Sequence, residues 1–307
     1  MNYIKIYVDF LKKRLHSDKK LKIVFDCSNG TTGLILKELF KTNSLIDYQL
    51  INQTPNGDFP AHRPNPLASN ALNQLQQEVK KQKVDLGVIF DADGDRVFFI
   101  DNLGRFIDPD VISKLLIWHL KPKKIVIDSR TGWLVKRLAT KDLRLTTSRA
   151  GHYFIKKLMQ EIKADFGAEK SGHYYFPISD KKEISYIDSG ILTAIEVINA
   201  ISKLPYSIAN FNDLLPQYYR SGEINIELPA ENREMKNILK EIEEIFKNQF
   251  SNQLKIFYLD GLTIESNEWW FNLRPSNTEP AIRLNIESTK KEIIDNLINK
   301  IYSLLNL

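Results

Sequence analysis

Cys27 is the only cysteine in 307 residues, so no disulfide can form within the chain and nothing points to an oxidising compartment. No apolar run approaches the length that a membrane helix needs. Residues 1–20 mix Tyr3, Ile4, Tyr7, Val8, Leu11 and Leu15 with basic residues at helical spacing, which reads as an amphipathic helix and not as a signal peptide. These absences make the cytoplasm the expected location, with no membrane partner. A strong excess of one charge is missing too: Lys+Arg exceed Asp+Glu by only 43 to 38, for a net charge of +5. The Lys-Lys pairs starting at 12, 19, 80, 123, 156, 181 and 290 are scattered over helix faces and loops, so no nucleic-acid groove is expected. A phosphorylated small molecule suits so modest a balance. The chain does have 43% apolar residues, enough to build two or three cores.

The stretch around which the rest is organised is Asp91-Ala92-Asp93-Gly94-Asp95-Arg96. It follows the apolar run 86–90, and a second run, 97–100, resumes at once, so the acidic cluster sits on a turn between two strands. Three carboxylates within one turn repel one another unless a cation sits among them, and oxygen donors around a flexible Gly suit a hard ion such as Mg²⁺. Arg96 adds a positive group for an anionic ligand. An EF-hand is excluded because Arg96 and Asn102 stand where its loop needs Gly and an acid. A solvated acidic turn, or a phosphatase with Asp91 as nucleophile, stays open from this stretch alone.

In chain order, residues 22–26 read as a strand, 32–41 as a helix and 46–51 as a strand, a βαβ unit followed by the Pro-rich loop 56–66 and a helix over 68–82. Lys124-Ile125-Val126-Ile127-Asp128 then repeats Lys22 to Asp26 almost residue for residue, with Gly132 placed after Asp128 as Gly30 is after Asp26. This echo predicts two tandem α/β domains of similar topology, each a mixed sheet flanked by helices. The second continues with helices over 131–140 and 151–162, strands over 143–147 and 164–176, and a helix over 188–202 with Asp188 as N-cap. After Ser221-Gly222 come strands at 223–228, 254–259, 269–273 and 282–286 with helices at 231–249 and 289–305, a smaller α+β C-terminal domain. The expected domains are 1–107, 108–220 and 221–307. Trp269-Trp270 is expected to pack the last sheet and not to stack on bases.

Three further stretches carry polar chemistry. Residues 274–280 join two strands and present Arg274, Ser276, Asn277 and Thr278, a guanidinium with neutral donors of the kind a phosphate dianion needs. Residues 167–173 gather Glu169, Ser171 and His173 around glycines, groups able to hydrogen-bond sugar hydroxyls and to move a proton near neutral pH. Arg130, Arg149 and His152 add two guanidinium groups and an imidazole in nearby loops.

Taken together these stretches resemble the α-D-phosphohexomutase family, most closely its bacterial phosphomannomutase/phosphoglucomutase branch. The resemblance covers essentially the whole chain: residues 91–96 match the family's metal loop, 168–173 its sugar loop, with Ala168 in place of the leading Gly, and 274–280 its phosphate loop. It implies an isomerase moving a phosphoryl group between the 1- and 6-positions of hexose phosphates, from an active-site phosphoserine and through a bisphosphorylated sugar. It also implies Mg²⁺ on Asp91, Asp93 and Asp95, and glucose 1,6-bisphosphate or an equivalent as activator. Glu169, Ser171 and His173 would hold the sugar, Arg274, Ser276, Asn277 and Thr278 the phosphate that is not reacting, and Arg96 and Arg149 would also contact substrate. His173 and His152 are candidates for acid/base work. Arg130 stands where the family often has Lys and, being always charged, reads as electrostatic. The family's serine loop, of the type Thr-Ala-Ser-His-Asn-Pro, does not occur in these residues. The chain alone is therefore expected to be inactive, with a separate N-terminal phosphoserine domain as a candidate partner. A non-catalytic phosphosugar-binding remnant and a phosphoglucosamine mutase are the alternatives.

Overall fold

The computed structural model describes residues 2–180, 183–227, 235–250, 253–276 and 281–305. It divides into two units. One comprises Met1–Ile127, Trp133–Thr146 and Gly151–Leu215, and the other Asp128–Gly132, Thr147–Ala150 and Pro216–Leu307.

The first unit opens with α1 (Tyr3–Lys12), then β1 (Leu21–Asp26), α2 (Thr32–Phe40), β2 (Ile46–Ile51), α3 (Asn73–Gln82), β3 (Leu86–Phe90), β4 (Val97–Asp101) and β5 (Phe106–Ile107). It continues with α4 (Pro109–Leu120), β6 (Lys124–Asp128), α5 (Trp133–Lys136), β7 (Arg144–Ser148), α6 (His152–Ile162), β8 (Phe166–Ala168), β9 (Tyr174–Asp180), β10 (Glu183–Asp188), α7 (Gly190–Ser202) and α8 (Ile208–Asp213). Asp128 of β6 and Thr147–Ser148 of β7 are counted with the second unit. One sheet has the order β2-β1-β3-β4-β5 and the other β7-β6-β8-β9-β10, the same path walked twice. In the first, β1 is parallel to β2 and β3, and β4 and β5 add antiparallel. In the second, β6 is parallel to β8, and β9 and β10 add antiparallel.

The internal echo is thus a repeat in space, and it extends to details. Asp85 and Asp165 each accept a hydrogen bond at 2.8 Å from a backbone N–H near the start of the neighbouring strand, at Lys22 and Lys124. α3 and α6 both end on a lysine in the left-handed region, Lys83 and Lys163, each with φ 52°. Gly87 and Gly167 occupy equivalent places under those helices, where a Cβ would come within 2.6 Å of Val79 Cγ2 and of Met159 Sδ. Only glycine lets helix and sheet approach so closely. Cys27 is buried just past β1, and burial pushes its thiol up to about 12, so it is a packing residue.

Several expected elements come out differently. The helix expected over 131–140 is only α5, because Thr140 Oγ1 accepts from the N–H groups of Asp142 and Leu143 and turns the chain back. The helix expected from 68 starts at Asn73, since Asn70 adopts φ 66°, outside helical geometry. The N-cap of α7 is Ser189, whose Oγ accepts from Leu192 N, while Asp188 ends β10. The stretch expected as one strand over 164–176 is β8, a loop and the start of β9. Strand β10 escaped notice because it is an exposed edge, with Ile184 half exposed.

The second unit is α+β: β11 (Tyr219–Glu227), α9 (Met235–Phe250), β12 (Lys255–Phe257), β13 (Leu262–Glu265), β14 (Trp269–Pro275), β15 (Ala281–Ser288) and α10 (Lys291–Leu304). Its antiparallel sheet has the order β11-β15-β14-β13-β12. Strand alternation sends Ile264, Phe271, Leu273, Ile282, Leu284 and Ile286 to one face, where they pack with Phe246 of α9 and Leu297 and Ile301 of α10. Trp269 belongs to that core, edge-on to Phe246 and Phe250. Ser221-Gly222 is a bulge within β11, which starts at Tyr219 and not at 223 as expected. Among the described residues no helix is long and apolar enough to cross a membrane.

Phe246 is fully buried and touches the rings of Phe250, Trp269 and Phe271. Phe246→Ala is expected to destabilise the second unit by about 3–5 kcal/mol, measured by urea unfolding followed by tryptophan fluorescence; a loss under about 1 kcal/mol would contradict this packing.

Candidate functional site

The acidic turn is held from inside by its first carboxylate. Asp91 is buried and accepts from the backbone N–H groups of Gly94 at 3.0 Å and Arg96 at 3.2 Å, and from Arg96 Nε at 2.7 Å. Gly94 has φ 77°, which completes the turn. Arg96 also reaches Asn65 Oδ1 at 3.4 Å, so its guanidinium is tied to Asp91 and the Pro-rich loop, a structural commitment that its expected role as an anion contact did not include.

The turn is cradled by the chain after β1. Thr31 N donates to Ala92 O at 3.0 Å, and Ser28 Oγ donates to Phe90 O. At Gly30 a Cβ would lie 2.2 Å from Ala92 O, so the position tolerates no side chain. His62, which sequence reasoning passed over, fixes the Pro-rich loop: its Nε2 lies 3.1 Å from the buried Asp26 and its Nδ1 2.8 Å from Arg63 O. The hydrogen bond to Asp26 is the main reason that its pKa is raised.

Asp91, Asp93 and Asp95 each place a carboxylate oxygen within 4.8 Å of the others. Burial pushes Asp91 up to about 6, against the opposing pull of Arg96, whereas hydrogen bonding from His173 holds Asp95 down at about 2. A buried carboxyl resisting ionisation beside two others is a site short of positive charge. Three carboxylates with no nitrogen or sulfur donor fit a hard divalent ion such as Mg²⁺. Asp95, His173 and Asp188 form a second such group, whose imidazole suits Mg²⁺ less well.

The expected metal and sugar loops meet. Val97 N donates to Gly172 O at 3.1 Å, Arg96 and His173 form a β-bridge, and His173 Nε2 lies 3.3 Å from Asp95. His173 Nδ1 is 3.0 Å from Ser171 Oγ and 3.6 Å from Glu169. Burial alone would lower the His173 pKa, but the Asp95, Glu169 and Asp188 carboxylates outweigh it and the net shift is upward. Glu169 is buried, accepts from Gly151 N at 2.7 Å and is hydrogen-bonded by the Tyr175 hydroxyl. Tyr175 and Lys156, which is 2.7 Å from Asp188, are supporting residues that the sequence did not single out. His152 is exposed at the start of α6 and lines a groove with Tyr153, Lys156 and Tyr186 that contains none of the acidic-turn residues.

The second unit holds Arg130, Arg149, Arg274 and Ser276, while Asn277 and Thr278 lie outside the described residues. Arg130 is clamped by Asp128 through Nε at 2.9 Å and through Nη2. Asp260, also missed, accepts from Ser129 Oγ at 2.8 Å and Ala150 N at 3.1 Å, joining the loops that carry Arg130 and Arg149. Arg149 is exposed, and Arg274 is buried on β14, where its Nη2 donates to Glu223 at 2.8 Å. Ser276 N closes the strand end on Ala281 O at 2.8 Å.

Family models for phosphoglucomutase/phosphomannomutase match almost the whole chain: alpha/beta/alpha domain II over residues 5–104, alpha/beta/alpha domain III over 108–218 and the C-terminal domain over 223–304. The chain belongs to this family. It is 38% identical to a phosphomannomutase of Methanocaldococcus jannaschii, covering 99% of this chain and 66% of that protein, and 32% identical to a phosphomannomutase of Escherichia coli K12, covering 87% and 58%. The chain thus spans no more than about two thirds of these relatives. Solved structures share the fold. A phosphoglucomutase/phosphomannomutase family protein of Burkholderia thailandensis superposes with TM-score 0.81 at 22% identity, over 99% of this chain and 64% of that one. An N-acetylphosphoglucosamine mutase of Aspergillus fumigatus, in complex with GlcNAc-6P and magnesium, superposes with TM-score 0.66 at 14% identity, over 99% and 69%. Another structure of that mutase carries glucose 1,6-bisphosphate.

Two outcomes follow. Gly30→Ala must displace Ala92, so Mg²⁺ binding by calorimetry is expected to weaken by about tenfold or more with the circular dichroism unchanged; unchanged affinity would contradict the cradle. A carboxyl with a raised folded pKa contributes stability that is full below its ordinary pKa and is lost as pH rises through about 6, as at Asp91. Mg²⁺, which needs the ionised form, should therefore raise the melting temperature at pH 7.5 and have little effect at pH 5; an equal rise at both would refute the assignment.

Proposed function

We propose that this chain supplies the metal-, sugar- and phosphate-binding parts of a phosphohexomutase that interconverts the 1- and 6-phosphates of mannose or glucose. In this reading 1–107 carries the metal loop, 108–220 the sugar loop and 221–307 the phosphate loop. The observation that carries it is the junction of the acidic turn with the 169–173 loop, above all the 3.3 Å approach of His173 to Asp95. A solvated acidic turn has no use for such a partner.

Asp91, Asp93 and Asp95 would hold Mg²⁺, which supplies charge neutralisation to a phosphoryl group in transfer. Glu169 and Ser171 would orient sugar hydroxyls beside it, and Arg274 and Ser276, with Asn277 and Thr278, would fix the phosphate that is not reacting, a positioning role. His173, facing the cation turn and the sugar loop, is the candidate for proton movement; His152 is a second. Arg130 contributes charge and Arg149 an exposed contact for phosphate. Asp91 makes a poor phosphatase nucleophile, since both of its oxygens already accept hydrogen bonds. The transferred group would come from a phosphoserine on a separate domain, with glucose 1,6-bisphosphate as activator.

Residues 1–307 alone are expected to bind glucose 6-phosphate and show no turnover. Adding the phosphoserine domain of a relative and glucose 1,6-bisphosphate should restore it, with rates on mannose, glucose and glucosamine 1-phosphates ranking the sugars. Turnover by the chain alone would overturn the division of labour, and binding that no added domain converts to turnover would favour a non-catalytic phosphosugar-binding protein.

A further inference from the structure

The polar face of the second unit's sheet contains an arrangement that the phosphate reading leaves unexplained. Arg274 on β14 and Arg283 on β15 are direct cross-strand partners, a pairing of like charges that destabilises a sheet unless an anion lies between them. Arg274 is nine-tenths buried, and its Nε, like that of Arg283, is a buried donor without a hydrogen-bond partner. The anion present is Glu223 on β11. Its carboxylate accepts from Arg274 Nη2 at 2.8 Å, lies 3.5 Å from Arg283 and 3.8 Å from Arg130, and is within 3.4 Å of Asn285 Nδ2. One carboxylate therefore serves three guanidinium groups and leaves two donors unmet.

Glu223 also has room to leave. It follows the β11 bulge at Ser221-Gly222, where Gly222 has φ 70° and open space around it, and its side chain keeps 30% of its surface in solvent. Arg130 is neutralised separately by Asp128. With Glu223 in place the Arg274–Arg283 pair keeps one net positive charge; without it the pair has two, the match for a phosphate dianion. Burial acts to raise the Glu223 pKa, but Arg274 and its neighbours overcome this, so the placeholder stays ionised and competes as an anion.

We propose that Glu223 is an internal stand-in for a phosphoryl group, holding the Arg274–Arg283 pair in the absence of ligand and yielding it when a phosphate arrives. The inference rests on reading 274–276 as a phosphate-binding stretch, and it adds a residue that sets how tightly that stretch binds. The alternative is that Glu223 is a scaffold whose removal lets Arg274 swing out of place.

The test is calorimetric titration of the chain with inorganic phosphate and with glucose 6-phosphate, on the wild type, Glu223→Gln, Glu223→Asp and Arg274→Gln. The stand-in predicts that Glu223→Gln binds both ligands about two- to fivefold tighter, the scale of one relieved charge contact in a partly solvated site. Glu223→Asp, whose shorter carboxylate withdraws from Arg274, should gain less, and it decides the matter if Glu223→Gln does not fold. Equal or weaker binding by the folded Glu223 variants, with the wild type binding and Arg274→Gln not, would overturn the stand-in while leaving the phosphate reading intact. Absence of binding by the wild type and by every folded variant would overturn both.

Discussion

The site in the first unit depends on one buried carboxylate. Asp91 is gripped by Arg96 and by two backbone N–H groups, and this grip gives the 91–96 turn its shape and lets the chain resume as β4. Burial raises its pKa while the neighbouring Asp95 is held low by His173. The turn thus combines a reluctant anion with a willing one, a local field that a divalent cation would relieve. His173 then links this field to the 169–173 loop through hydrogen bonds in both directions.

The duplicated α/β architecture explains how such loops come to lie side by side. In both sheets the candidate residues sit past the C-terminal ends of the central parallel strands, the place where open α/β sheets generally bind ligands. β3 leads into the acidic turn and β8 into the 169–173 loop, and they are equivalent strands of the two repeats. The glycines that bring α3 and α6 close to their sheets, Gly87 and Gly167, sit on those same two strands. In the second unit a different logic applies: an antiparallel sheet buries one face under two helices and leaves arginines, Glu223 and Asn285 on the other.

Much of this was legible in the residues. The Asp cluster is local, so its composition betrayed it, and the echo of Lys22–Asp26 in Lys124–Asp128 foretold the repeated sheet. What stayed hidden depends on partners far along the chain. Nothing near Gly30 says that its hydrogen faces Ala92, nothing near Asp260 says that it accepts from Ser129, and nothing near His62 says that it meets Asp26. Element ends differ where a side chain takes up backbone N–H groups, Thr140 turning the chain out of a helix and Ser189 capping one a residue later than Asp188 would, and where an exposed edge strand lacks the alternation of a half-buried one, at Glu183–Asp188. Family resemblance supplied roles that no local pattern carries, notably for Arg130 and Arg149, which read in isolation as surface cations in loops.

The most direct test of the central claim uses a paramagnetic substitute for the expected cation. Mn²⁺ titrated into protein with ¹⁵N-labelled histidine should broaden the ring signals of His173 at low stoichiometry and leave those of His16 and His119 sharp, with Asp93→Asn abolishing the effect. Uniform broadening of all the histidines, or none at His173, would contradict a cation site on the acidic turn joined to the 169–173 loop.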